Sequence, residues 1–255
     1  MPRNFGSDRK VVFRIERGAG SAEISASLAK DGLIWWGPLF RLYAIVSGIS
    51  GKLQAGYYYL DTTMSIAKIS QKFSEGDIAR ETITIPEGFT SEQIYEKLKN
   101  LTISEIVNLT DYEGYLFPDT YEIAYGASAE EVIKMMTDNF TKKTAGLEIK
   151  PEIVVMASIL EKEVKTKEEK ELVAGVLWKR IKFGMPLQVD ASMWTYEHLG
   201  LPAKPLANPG LDSISAAIYP KNSLYWYYLS TLDGETIFSK TLGEHNIAKA
   251  RYLSR

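Results

Sequence analysis

A short strand, a glycine turn and a helix occur twice in this chain at one spacing, and this repetition limits what it can fold into. Ile15, Gly18, Ile24 and Leu28 return 70 residues later as Ile85, Gly88, Ile94 and Leu98. Apolar residues alternate along the first strand segment (Val11, Phe13, Ile15) and then recur on a helical step, the two periods that separate strand from helix. Between the copies, Tyr57 to Leu60 and Met64 to Phe73 supply a third strand and helix. Thr90 followed by Gln93 is a capping box that starts the helix of the second copy. Small units of this kind predict an α+β fold.

Further along, residues 113–123 (EGYLFPDTYEI) are too rich in aromatics and proline for a helix and too irregular for a strand. A helix is expected from Ala129 to Phe140, and Pro151 opens a strongly apolar one, proline being favoured in a first helical turn. Thr166 with Glu169 caps the next helix, which carries Leu172, Val176 and Trp178. GMPLQVD (184–190) reads as a short strand, and a loop with three prolines follows it. Residues 211–219 read as a short helix, and Asp233-Gly234 as the turn of a β-hairpin. An amphipathic helix from Leu242 to Leu253 closes the chain.

Composition removes several chemistries. With no cysteine there is no disulfide, thiolate zinc site or cysteine nucleophile. His198 and His245 are the only histidines, and no HExxH, GxSxG, Walker A or dinucleotide fingerprint is present. A net charge of −2 gives no field for nucleic acid. The N-terminal ten residues lack the apolar core of a signal peptide. The longest apolar stretch, Leu33 to Ile49, is broken by Gly37-Pro38 and Arg41. A domain helix in a soluble chain is therefore expected there rather than a membrane span.

Carboxylates remain as the candidate acids and bases. On the helix from Pro151, the residues Ile153, Met156, Ala157, Leu160 and Val164 form one apolar stripe. Glu161 and Glu163 flank it on opposite sides, each roughly 80° from its centre. Either could sit at a core edge, where desolvation raises a carboxyl pKa toward that of a useful general acid. Both could equally be solvated partners of Lys162, Lys165 and Lys167. Asp190 shares a face with Gln188 at strand spacing, but also suits a helix cap. Asp119, after Pro118, suits a turn. Asn208-Pro209-Gly210 offers backbone amides to a ligand or a plain turn, and His245 reads as a packed histidine.

Five motifs in order resemble one family. They are Glu113-Gly114-Tyr115-Leu116-Phe117-Pro118-Asp119-Thr120-Tyr121, the helix Met156 to Glu163, GMPLQVD, GLP with Ala207-Asn208-Pro209-Gly210, and FSKT with Glu244-His245-Asn246. Together they resemble the endolytic murein transglycosylase family, also called YceG-like or MltG-like, over about residues 10–254. Residues 1–9 are polar and read as a linker, and the resemblance implies a LysM-like module at 10–80 and a mixed α/β catalytic domain at 81–255. It implies cleavage of β-1,4 bonds between N-acetylmuramic acid and N-acetylglucosamine in nascent strands, leaving 1,6-anhydro ends. It assigns the catalytic role to Glu161, and substrate contacts to Gln188, Asp190, Tyr115, Asp119, Asn208 and Glu163.

No metal or cofactor is expected. The implied partners are peptidoglycan strands and peptidoglycan synthases, with no nucleic acid. The family pattern also puts a single membrane anchor before the LysM-like module, holding the enzyme at the outer face of the cytoplasmic membrane. This sequence does not show that anchor, and Ala191 stands where the family has a proline, before a shortened 190–200 loop. The rival expectations are a glycan hydrolase using Glu161 with Asp190, and a non-catalytic peptidoglycan-binding scaffold.

Overall fold

A computed structural model describes residues 10–99, 109–231 and 233–253. The chain divides into two compact units. Among the described residues, the first comprises 10–83 and 121–128, and the second 84–99, 109–120 and those from 129 onward.

In the first unit, β1 (Lys10–Ile15) pairs antiparallel with β2 (Gly56–Asp61), Lys10 opposite Asp61 and Ile15 opposite Gly56. Three helices, α1 (Ser21–Lys30), α2 (Gly37–Val46) and α3 (Ile66–Glu75), belong to it. Phe13, Ile15, Ile24, Leu28, Phe40 and Tyr58 pack around Phe73, whose ring meets those of Phe13, Phe40 and Tyr58 at 4.7–6.1 Å. The interrupted apolar stretch forms α2, which buries only Gly37, Phe40 and Ala44. Among the described residues, no helix is long and apolar enough to cross a membrane.

The 70-residue repeat is visible in the backbone. β3 (Arg80–Thr84) and α4 (Ser91–Leu98) begin 70 residues after β1 and α1. Gly18 and Gly88 turn the chain at φ +84° and +76°, a region that glycine enters without steric cost. Thr90 caps α4 as its sequence predicts, exchanging hydrogen bonds with Gln93. β3 pairs with β4 (Thr120–Ala124).

The second unit is built around α6 (Pro151–Glu163), against which α7 (Lys167–Lys182) and α9 (Leu211–Ile218) pack. α5 (Ala129–Lys143) precedes α6, and the one-turn helix α8 (Trp194–Glu197) follows α7. β5 (Tyr227–Ser230) and β6 (Thr236–Ser239) form an antiparallel pair that carries α10 (Leu242–Tyr252).

Three local expectations change. The single apolar stripe on α6 is too narrow a description, because every residue from Val154 to Leu160 is buried. Over those residues the helix is enclosed on all sides by its neighbours, so its flanks face protein as well. GMPLQVD is not a strand, because its backbone pairs with no second strand among the described residues. It bonds instead to the Thr195 backbone, the Thr195 hydroxyl and Arg180. The hairpin turn is longer than two residues, since Ser230 pairs with Thr236 and the Thr231 N–H donates to the Glu235 carbonyl.

Candidate active site

Glu163 is the last residue of α6. Val164 is already extended at φ −142°, and Thr166 then caps α7 through a reciprocal bond pair with Glu169. The sharp stop leaves Glu163 at a helix C-terminus, where the backbone dipole disfavours a negative charge. It lines a cavity of about 190 Å³ together with Arg180, Gln188, Asp190, Tyr196, Tyr228, His245 and Lys249, among others. Its Oε1 accepts the Ala191 N–H at 3.0 Å and its Oε2 the Tyr228 hydroxyl at 3.2 Å. Burial raises its pKa above the ordinary carboxyl value and Asp190 adds to the rise, while the two hydrogen bonds oppose it.

The segment after α7 delivers two more groups. Leu187 and Val189 are fully buried, while Gln188 and Asp190 are exposed and line the cavity. The alternation expected of a strand thus survives without the ladder. Buried Thr195 holds the turn, accepting the Gln188 N–H on its carbonyl and the Val189 N–H on its hydroxyl. Gln188 is thereby held at φ +52°, a conformation that costs a non-glycine residue about 1–2 kcal/mol. Asp190 does not cap a helix. Its Oδ1 accepts the Tyr196 hydroxyl at 2.5 Å, and this bond pushes the Tyr196 pKa up to about 12.

Glu161 occupies a different environment. Its Oε1 pairs with Lys170 Nζ at 3.0 Å, the side chains being only 8% and 4% exposed. Its Oε2 accepts the Gly210 N–H at 2.9 Å and the Ser213 hydroxyl at 2.7 Å, closing the first turn of α9. The carboxylate that the resemblance assigns as catalytic thus links α6, α7 and α9 through these bonds, and it is not among the residues lining this cavity. Lys170, its partner, lies on the next helix and was not among the lysines weighed from sequence.

The other expected contacts also lie elsewhere. Asn208 is fully buried, and all four of its side-chain hydrogen-bonding positions are filled. Its Oδ1 accepts the Gly114 and Leu116 N–H groups, and its Nδ2 donates to the Phe89 carbonyl and Glu113. Asn208 thus ties the NPG loop to the EGYLFPDTY turn and has nothing left to offer a ligand. Tyr115 packs on Phe140 at 5.2 Å. Asp119 bonds Asn139 and Lys143 of α5 and the Thr120 N–H, and these bonds hold its pKa down at about 2. Of the carried-over set, Gln188, Asp190 and Glu163 share the cavity, while Glu161, Tyr115, Asp119 and Asn208 do not line it.

Sequence reasoning missed Arg180, Tyr196, Tyr228 and Lys249, and read His245 only as packed. A signal was present for His245. Thr241 and Glu244 form a capping box that starts α10, so the next residue begins the buried face of the helix.

The YceG-like family model matches residues 13–194 and 194–251, and the chain belongs to that family. An endolytic murein transglycosylase of Bacillus subtilis is 30% identical, the match covering 99% of this chain and 88% of that protein. An endolytic murein transglycosylase of Streptococcus pneumoniae is 25% identical over all of this chain, which spans 60% of its length. The crystal structure of a YceG-like protein from Listeria monocytogenes superposes with a TM-score of 0.55 at 26% identity, covering 95% of this chain and all of that one.

Proposed function

We propose that this chain is a lytic transglycosylase acting on peptidoglycan, with Glu163 as its general acid and then its base. The observation that carries the reading is the contrast between two carboxylates of one motif. Glu163 faces a cavity with its pKa raised, while Glu161 is consumed by Lys170, Gly210 and Ser213. Family membership and the two named relatives supply the substrate class.

The chemistry needs one carboxyl group used twice. Protonated Glu163 gives its proton to the oxygen linking muramic acid C1 to glucosamine C4. The C1–O bond breaks, its electron pair leaving on that oxygen. The carboxylate then takes the proton of the C6 hydroxyl as O6 attacks C1, closing the 1,6-anhydro ring. The proton balance is zero and no water is consumed. The Ala191 N–H and the Tyr228 hydroxyl hold the carboxylate between the two transfers, one on each oxygen. Gln188 and Asp190, on the same wall, are assigned to sugar hydroxyls.

By the same resemblance, residues 10–80 are read as a LysM-like glycan-holding module. Their order of strand, two helices and an antiparallel strand supports this. A position at the outer membrane face and contact with peptidoglycan synthases belong to the same family reading.

The test is the product mass from polymeric strands. Anhydro ends support the proposal, and products heavier by one water, carrying reducing ends, would replace it with hydrolysis using Asp190 as second carboxylate. Absence of any cleavage together with tight strand binding would favour the scaffold reading.

A further inference from the structure

Arg180, at the end of α7, is 4% exposed and lines the cavity. Its Nε donates to the Trp226 carbonyl at 2.9 Å and its Nη1 to the Leu187 carbonyl at 2.6 Å. Its guanidinium lies over the Tyr227 ring at 5.1 Å. Two of the five N–H groups of an arginine are thus engaged. Among the described residues no carboxylate forms an ion pair with Arg180 or with Lys249, which lines the same cavity from α10.

A charge buried without a counter-charge costs several kcal/mol, and two carbonyls offset only part of that. His245, one turn before Lys249, stacks on Tyr227, and its buried Nδ1 has no partner among the described residues. Burial and the two neighbouring cations depress its pKa, so it adds no third charge near neutral pH. The acids of the cavity do not neutralise the wall. Glu163 bonds Ala191 and Tyr228, and Asp190 bonds Tyr196. The result is a pair of cations, one preorganised and planar, beside a carboxyl group of raised pKa.

We infer that Arg180 and Lys249 form an anion subsite that receives a carboxylate carried by the glycan. The inference rests on the peptidoglycan reading for the identity of that glycan. An arginine fork accepts a carboxylate through two parallel bonds, and peptidoglycan carries carboxylates of two origins. One is the 3-O-lactyl group of a muramic residue that has lost its peptide. The other lies on the stem peptide, where the lactyl carboxyl has become an amide.

The test measures binding to the full chain, independently of cleavage, with three probes. They are N-acetylmuramic acid, N-acetylmuramoyl-L-alanyl-D-isoglutamine and N-acetylglucosamine, which has no carboxylate. The parent is expected to prefer at least one of the first two over the third, and which of them identifies the source. Arg180→Lys keeps the charge and loses the fork, and is expected to weaken that probe by about tenfold or more. Lys249→Gln removes an exposed charge without disturbing the core, and is expected to weaken it by about two- to fivefold. Neither change should alter N-acetylglucosamine binding. Equal binding of all three probes overturns the inference, as does parent-like binding by Lys249→Gln together with a folded Arg180→Lys. Absence of binding by either carboxylate probe overturns it as well. Failure of the transglycosylase reading would appear instead in the product masses, with these preferences intact.

Discussion

Glu161 and Glu163 stand two residues apart on the last turn of α6, yet one is closed inside an ion pair with Lys170 and the other opens on the cavity. Two residues on a helix are about 200° apart in projection, so the neighbours of each decide its use. α7 and α9 meet the first, and β5 with the segment after α7 meets the second.

Their glutamine variants should therefore fail in different ways. Glu163→Gln is expected to reduce turnover of polymeric strands by about 10²–10⁴-fold with the fold preserved. Glu161→Gln leaves Lys170 charged and unpaired, and should cost about 3–5 kcal/mol of stability. Below its unfolding transition it should keep the parent's dependence of rate on pH. Denaturant unfolding and rate measurements on both variants decide this. A stable, inactive Glu161→Gln beside an active Glu163→Gln would return the catalytic role to Glu161.

Tyr228→Phe tests the hydrogen bond that orients the acid. The tyrosine hydroxyl donates to Glu163 and favours its ionised form. Without that bond the Glu163 pKa should rise further. The fall in rate on the alkaline side, where the acid loses its proton, should then move to higher pH. A pH profile shifted the other way, or not at all, would show that this bond does not bear on the catalytic carboxyl.

Asn208→Ala should be a stability variant. It strands the N–H groups of Gly114 and Leu116 and one oxygen of Glu113 in a buried place. At roughly 1–3 kcal/mol for each of these three unmatched groups, a loss of at least about 3 kcal/mol is expected in urea unfolding. A well-folded variant whose binding alone is impaired would restore the ligand role first read for it.

Asp119 is expected to act through pH. Its folded pKa of about 2 lies below the usual unfolded value of about 4. Its contribution is therefore present above pH 4 and disappears as pH falls toward 2. Asp119→Ala should be less stable than the parent at pH 7 and equal to it near pH 2, by thermal unfolding at each pH. A gap that persists near pH 2 would contradict this account.

What could be read from sequence was local. The capping boxes at Thr90, Thr166 and Thr241 lie within four residues of their partners, and the 70-residue repeat is a backbone pattern that needs no tertiary information. The site was legible only where its residues follow one another, as with Gln188 and Asp190. Arg180, Tyr196, Tyr228 and Lys249 reach the cavity from four separate elements, and no spacing in sequence encodes that meeting. The projection of α6 could not separate Glu161 from Glu163, because it assumed one solvated face where the helix is enclosed. Asn208 and Glu113, both in motif segments, join two loops through hydrogen bonds that no spacing in sequence announces.

Asp190→Asn separates the remaining enzymatic readings. The carboxylate accepts the Tyr196 hydroxyl and holds the tyrosine pKa near 12. Asparagine keeps an acceptor oxygen but carries no charge, so that pKa should fall toward the ordinary value of about 10, visible by ultraviolet titration. If Asp190 positions sugar or Tyr196, the rate should drop moderately and the product ends should remain anhydro. A hydrolase's second carboxylate would instead lose nearly all turnover, because asparagine cannot activate water or act as nucleophile. A tyrosine shift with an unchanged rate would confine Asp190 to holding Tyr196 and remove it from the reacting site.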